Sequence, residues 1–386
     1  MQSTVLARVA LAASLMLDVL AARAEVIDTP ERVQIVRVGF SGPLSGPSAP
    51  IGIDALNGMQ IAIDRLNQQG MELDGKSLRF ETVVRDDESD PQRGAEIARE
   101  MAAIGVSAVL GPINSGVALG AARAYNDGQT PSLTAASNPR VTQLGQPYLF
   151  RIVASDGDIG AKMARYAART LKLGSVAIID DGSAYADGLI EAFQRSAKSQ
   201  GLQVGAREKI PPGADEATTS AVLRRIRDSH AEAVFLGTYS QHAASLVKQL
   251  RRMKMGLAVL GGDTLCSAVV ARSAGAALGD NTYCVLGGEW LTKATDGAVF
   301  AAGFQRKFGR APDVYAASYF DGVMLLAHAI RSSGTTDGRQ LMPALARARY
   351  KGITASYEFN AQHDLKESTV TILRFKGTEM VPLATY

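Results

Sequence analysis

The chain has 386 residues, 46% apolar and 20% charged, an ordinary globular composition with length for two or three domains. Its 41 Lys+Arg against 38 Asp+Glu leave a formal net charge of +3, which gives no electrostatic case for nucleic acid or an acidic membrane surface as partner. With 2 Cys and 4 His, neither a zinc cluster nor a haem attachment nor a disulfide-dense scaffold is supported, and no metal or cofactor is expected.

Residues 1–24 read as a secretory signal. Arg8 supplies the positive start, residues 9–22 an apolar stretch broken by Asp18, and Ala22-Arg23-Ala24 a small-x-small cleavage site before Glu25. The stretch is too short and too interrupted to span a bilayer stably. No later segment reaches about 18 uninterrupted apolar residues, so the exported part is expected to be soluble.

Strand and helix patterns then alternate. Residues 33–40 (VQIVRVGF) form a β-branched run that ends in SGPLSGPSAP. Ile53, Met59, Ile63 and Leu66 recur at helical spacing through Gln69, and 77–84 is the next strand. Asp90-Pro91 has the form of an N-cap followed by proline at the first helical position, opening a helix through Ile104. A short strand at 107–110 stops at Gly111-Pro112. The rhythm repeats after about residue 150, with strands at 176–179, 234–236 and 257–260 and helices at 185–199, 215–227 and 240–253. Short apolar strands alternating with helices predict an α/β fold of two doubly wound parallel-sheet lobes. In such sheets ligands bind beyond the carboxyl ends of the strands, which directs attention to the loops 41–51, 111–116, 135–139, 180–185, 237–241 and 261–266.

No catalytic constellation emerges. Residues 70–77 match G-x4-G-K-S, but the segment follows a helix and enters a strand, the reverse of a phosphate loop, and Asp74-Gly75 reads as a turn. There is no G-x-S-x-G elbow and no H-E-x-x-H; His230 and His242 fall on polar helix surfaces and read as solvated. Asp86-Asp87-Glu88 reads as a solvated loop with charge favourable to the following helix start. What remains is a binding set. Ser115 stands where a strand gives way to a helix, either as an anion receptor or as a simple cap. Ser137 follows the next strand, Asp263 follows a second-lobe strand and either meets a cation or makes a turn, and Tyr185 and Tyr239 lie in strand-to-helix loops. Cys266 and Cys284, the only thiols, are expected to form one disulfide after export; the other possibility is two buried thiols.

These residues carry a family resemblance. The opening 38–46 (VGFSGPLSG), the G-x-x-x-A-I-D-x-x-N helix from Gly58 to Asn67, and Arg85-Asp86-Asp87-Glu88-Ser89-Asp90-Pro91 are three of its motifs. Val109-Leu110-Gly111-Pro112 and Ala135-Ala136-Ser137-Asn138-Pro139 follow in order. Together they resemble the leucine/isoleucine/valine-binding branch of type I periplasmic solute-binding proteins. The resemblance implies two lobes joined by three crossovers near residues 152, 286 and 354, the first lobe comprising 25–152 and 286–354, the second 153–285 and 355–386. It implies a monomeric, non-enzymatic periplasmic receptor that hands a small solute to an inner-membrane ABC permease and its ATPases. On that pattern Ser115, Ala135 and Ser137 hold a ligand carboxylate, Asp263 takes the ammonium, and Tyr185 and Tyr239 close over the ligand. Relatives often carry an aromatic where this chain has Ile51, which implies a more aliphatic pocket. An aliphatic, branched-chain α-amino acid is the expected ligand, with amides, urea or aromatic acids as the alternative and a sensor as an alternative role.

Overall fold

The computed structural model describes residues 33–386 apart from Ala294; the expected signal segment lies outside the described residues. Two sheets organise the chain. The first has the order β2-β3-β1-β4-β5-β6, built from β1 (Val33–Gly42), β2 (Glu72–Leu73), β3 (Lys76–Asp86), β4 (Ala108–Leu110), β5 (Ser132–Thr134) and β6 (Leu149–Arg151). Apart from the β2–β3 hairpin its pairs are parallel, Val38 lying opposite Thr82 on one side and Ala108 on the other. Asp74 and Gly75, at φ 50° and 70°, form the two-residue turn of that hairpin, so the G-x4-G-K-S segment is a turn between strands.

Both faces of the first sheet are covered. Val36, Val38, Phe40 and Phe80 pack with α1 (Ala49–Gln69), α10 (Ala316–Ser333) and α11 (Gly338–Ala346). On the other face α2 (Pro91–Ile104) and α3 (Ser115–Asp127) supply Ile97, Met101, Ala118, Ala121 and Tyr125. The Asp90 carboxylate accepts from the backbone of Gln92 and Arg93, the cap anticipated from Asp-Pro.

The second sheet has the order β15-β14-β11-β10-β9-β7-β8. Its parallel part consists of β7 (Ser175–Asp180), β8 (Gln203–Lys209), β9 (Ala233–Gly237), β10 (Ala258–Gly261) and β11 (Thr282–Gly287). β14 (Val370–Lys376) and β15 (Glu379–Thr385) complete it as an antiparallel edge. One face packs α4 (Asp156–Arg169) and α5 (Ala184–Ser199). The other packs α6 (Glu216–Asp228), α7 (Ser240–Arg252) and α8 (Ala268–Ala274). The fold is therefore two doubly wound α/β lobes. In each, strand order reverses beside a central strand: β1 sits between β3 and β4, and β7 between β8 and β9. Loops diverge at such a point and leave a crevice at the carboxyl ends of the strands.

The chain leaves the first sheet after Arg151 and the second after Gly287. Beyond 354 the segment stays with the first lobe: Tyr357, Phe359 and Leu365 pack in its core, and Phe150 stacks on His363 at 4.2 Å. The last passage thus lies between Leu365 and β14, later than the expected 354, because these apolar side chains belong to the core of the first lobe. Among the described residues no helix is long and apolar enough to cross a membrane.

Cys266 and Cys284 are bridged, with Cα atoms 5.4 Å apart, tying the loop after β10 to β11. The bond closes a loop of 18 residues, for which chain entropy gives about 3 kcal/mol. Replacing both cysteines by serine should lower the unfolding free energy by about that amount in denaturant titration, and wild-type protein under reductant should show the same loss.

Candidate functional site

The first-lobe half of the site is built on α3 and the loop after β5. Asn114 precedes α3 without a side-chain cap, so the helix opens with backbone N–H groups directed into the crevice. Ser115 is buried in its first turn, and its Oγ accepts from the backbone N–H of Asn138 at 3.3 Å, joining the two loops. Ala135 and Ser137 are buried beside it.

Arg151 holds this loop from behind. Fully buried, it donates to the carbonyls of Ala136 and Asn138, to Thr142 Oγ1 at 2.9 Å, and to Asp364 Oδ1 at 2.8 Å. One guanidinium, with donors in a fixed fork, thus ties the 136–139 backbone to the segment that packs Phe359 and Leu365.

The second-lobe half is a network of hydroxyls around Asp263. Asp263 is buried immediately after β10, and its Oδ1 accepts from the Tyr185 hydroxyl at 2.8 Å and from the Thr264 N–H at 2.9 Å. Tyr185 stands in the first turn of α5, whose Ser183 cap accepts from the Ala186 N–H. Gly262 must lack a side chain for this contact, since a Cβ there would lie 2.6 Å from the Tyr185 oxygen. The other oxygen, Oδ2, accepts from the Tyr315 hydroxyl at 2.9 Å. Tyr315 belongs to the first lobe and precedes α10. Asp54 of α1 fixes it there, accepting from the N–H groups of Tyr315 and Ala316 at 3.1 and 2.8 Å while Arg310 balances the charge. Tyr315–Asp263 is therefore a hydrogen bond between lobes, as is Asn138 Nδ2 to the Ala184 carbonyl.

Tyr239 lies at the N-cap of α7, its ring 5.1 Å from that of Tyr185. Burial raises its phenol well above the ordinary value, although the Asn114 side chain and the Ser115 backbone facing it favour the ionised form. Ile51, in the first turn of α1, is buried at the cleft mouth and lines the same cavity as Tyr239.

Asp156 was not among the expected site residues. It opens α4 fully buried, its N–H donates to the Ser137 carbonyl at 2.8 Å, and neither carboxylate oxygen has a hydrogen-bond partner. Burial and the neighbouring Asp263 charge push its pKa well up; the Ser137 hydroxyl and Arg151 oppose this. Burial also raises Asp263, against the hydrogen bonds from Tyr185, Tyr315 and Thr264. Two carboxylates thus share one buried region whose nearest guanidinium, Arg151, is engaged with Asp364 and backbone carbonyls. Such a region favours an incoming cation, and beside it stands the uncapped start of α3, which favours an anion.

The family model described as periplasmic binding protein matches residues 35–379. The chain belongs to the periplasmic binding protein family. It is a solute-binding protein and not an enzyme. It is 26% identical over 333 residues to a Leu/Ile/Val-binding protein homologue of Brucella suis, covering 86% of this chain and 88% of that one. To a Leu/Ile/Val-binding protein of Rhizobium johnstonii it is 29% identical over 231 residues, 60% of this chain and 62% of that protein, so this match spans under two thirds of that relative. The substrate-binding protein of a Streptococcus pneumoniae branched-chain amino acid transporter, solved with isoleucine, superposes with a TM-score of 0.82 at 25% identity, over 91% of this chain and 99% of that one.

Two sequence expectations need correction. Asp87 is not solvated: it is fully buried, accepts from Ser41 Oγ at 3.1 Å, and is pushed by burial up to about 6. His242 is not a surface histidine in water; it lines the cleft-mouth cavity, and its Nδ1 is buried without a partner. The α7 face that carries it turns toward the other lobe, where residue polarity alone suggested solvent. Tyr315 was missed because its partner Asp263 lies 52 positions away and in the other lobe.

A raised carboxylate pKa makes the native state bind more protons than the unfolded chain, so stability falls as pH rises above the unfolded value of about 4. Asp156→Asn should remove its share of this decline and stabilise the unliganded protein at pH 7. Thermal melts of both proteins at acid and at neutral pH check the sign.

Proposed function

We propose that the chain is the periplasmic receptor of an ABC importer, binding an α-amino acid with an apolar side chain between its lobes. The ligand ammonium sits between Asp263 and Asp156, and its carboxylate lies at the start of α3 on Ser115 and Ser137. Ala135 lines that side, Tyr185 and Tyr239 cover the ligand, and Ile51 bounds the side-chain pocket. The reading assigns residues up to about 152, and again from 288 to about 365, to the lobe that carries the carboxylate site; the remainder forms the other lobe. An inner-membrane permease with its ATPases is the receiving partner, and the receptor works as a monomer.

One observation carries this reading: two buried carboxylates without a cation of their own stand beside an uncapped helix start. A zwitterion matches both charges at once, and charge-assisted bonds in a dry cleft are stronger than in water. The Brucella and Streptococcus relatives, by their names, take branched-chain amino acids, which supports the same ligand class here. A ligand that touches both lobes stabilises the closed arrangement only by its differential affinity for it, and opposite charges on opposite lobes provide that difference.

Asp263→Asn should weaken amino-acid binding by about 2–5 kcal/mol, the usual cost of removing one partner of a buried charged contact. Isothermal titration with leucine, isoleucine and valine, alongside a melting curve showing an intact fold, makes the test. Unchanged affinity would take Asp263 out of the site. A ligand ammonium also favours ionised carboxylates, so affinity should fall as pH is lowered, and the wild-type titration repeated under acid conditions reads this directly.

A further inference from the structure

One segment of the first lobe makes two hydrogen bonds to one segment of the second. Tyr315 donates to Asp263 Oδ2 at 2.9 Å, and two residues earlier Asp313 Oδ1 accepts from the backbone N–H of Ala268 at 2.9 Å. Ala268 is the first residue of α8, so its N–H has no partner within the helix, and Asp313 supplies one from the opposite lobe. Val269, the next residue, lines the cleft mouth together with Pro50 and Ile51 of α1. Parting of the lobes at that mouth takes the Ala268 N–H away from Asp313.

Both sides of the contact are held independently of it. On the first lobe the buried Asp54 carboxylate accepts from the N–H groups of Asp313, Tyr315 and Ala316 at 2.9, 3.1 and 2.8 Å, and from Arg310 at 3.0 Å. On the second, Cys266 is bridged to Cys284, Ser240 Oγ donates to the Thr264 carbonyl at 2.7 Å, and the Ser267 Oγ accepts from the Val270 N–H at 3.2 Å. Two pre-ordered segments lose little conformational entropy when they meet. Arg272, also on α8, faces Asp313 with positive charge from the second lobe, while Asp54 and Arg310 flank it on its own.

We propose that Asp313 is the first-lobe half of a latch that holds the two lobes together over a bound ligand. It is a positioning residue outside the proposed ligand contacts, and it sets how tightly the ligand is retained. The inference rests on the amino-acid reading above and adds to it. Apparent affinity scales with the fraction of molecules in the binding-competent arrangement. A contact made on closure therefore raises the affinity for every ligand the cleft takes by a common factor. A residue of the pocket behaves otherwise, because its loss affects one ligand more than another.

The test is calorimetry of the purified exported protein with leucine, isoleucine and valine, with a melting curve of each variant without ligand. Asp313→Ala should weaken all three ligands by a common factor of about ten, the contribution of one hydrogen bond of ordinary strength, and should not lower the unliganded melting temperature. Asp313→Asn presents the same accepting oxygen to Ala268 and should bring affinity back to within about threefold of the wild type. If Asp313→Ala binds as the wild type does, or Asp313→Asn binds as weakly as Asp313→Ala, the latch is wrong while the amino-acid reading stands. Losses that differ strongly among the three ligands, or a lower unliganded melting temperature in Asp313→Ala, overturn the latch as well. If the wild type binds none of the three, the amino-acid reading itself fails and the latch falls with it.

Discussion

Two buried carboxylates that lack a cation set the terms for everything around them. Taking an ionised carboxylate out of water is costly unless it is paired or protonated. Asp263 is partly relieved by three neutral donors, whereas Asp156 has only the Ser137 hydroxyl facing it. On the proposed reading the pair is a deficit that a ligand ammonium removes; both carboxylates stand on the second lobe, and the Ser137 backbone and Tyr315 of the first lobe cover them. Asp156 opens α4 against the Ser137 backbone, Asp263 comes from the loop after β10, and Tyr315 reaches across from the first lobe.

Much of the surrounding structure keeps that deficit in place. Among the described residues Arg151 is the guanidinium that acts on Asp156, yet its donors are fixed on Asp364, Thr142 and two carbonyls of the candidate-site loop. Asp54 performs a matching task on the opposite side, holding the backbone before α10 so that Tyr315 points at Asp263. The Cys266–Cys284 bridge fastens the end of the Asp263 loop to β11, where a slack loop would let the carboxylate turn to solvent. Each constraint acts on backbone next to a group of the candidate site, and none of them supplies a positive charge to the two carboxylates.

The parts legible in the sequence are those whose signal is local. The β-branched run at the start of β1, the Asp90-Pro91 helix start and the Asp74-Gly75 turn all follow from neighbouring residues, and the structure has them there. The strand-end loops that make up the candidate site were legible as loops, because the topology of doubly wound sheets marks their carboxyl ends. α10 was not: it is buried on nearly all sides, from Ala316 through Ile330, so it lacks the one-sided periodicity that identifies a surface helix. Asp156 was illegible for another reason. An aspartate in the first turn of a helix normally reads as favourable to the helix dipole, and only the packing of Ser137 and Asp263 around it shows that water is excluded. His242 failed likewise, since a polar helix face opposite another lobe has the same sequence as one facing solvent.

The same reasoning explains why a cleft of this kind closes on ligand. Without the ligand, the closed arrangement keeps two carboxylates in one dry region, and their mutual repulsion and desolvation oppose it. Hydrogen bonds between the lobes include Tyr315 to Asp263, Asn138 to the Ala184 carbonyl, the Asp156 N–H to the Ser137 carbonyl and the Ala268 N–H to Asp313. Such bonds contribute about 0.5–1.5 kcal/mol each, or about 1.5–3 kcal/mol where an ionised carboxylate accepts, against several kcal/mol for each ion taken out of water. Protonating one carboxylate reduces the opposition, and an ammonium placed between them reverses its sign. On the proposed reading the balance turns on whether a cation enters with its own carboxylate directed at α3, which a neutral solute of the same shape does not supply.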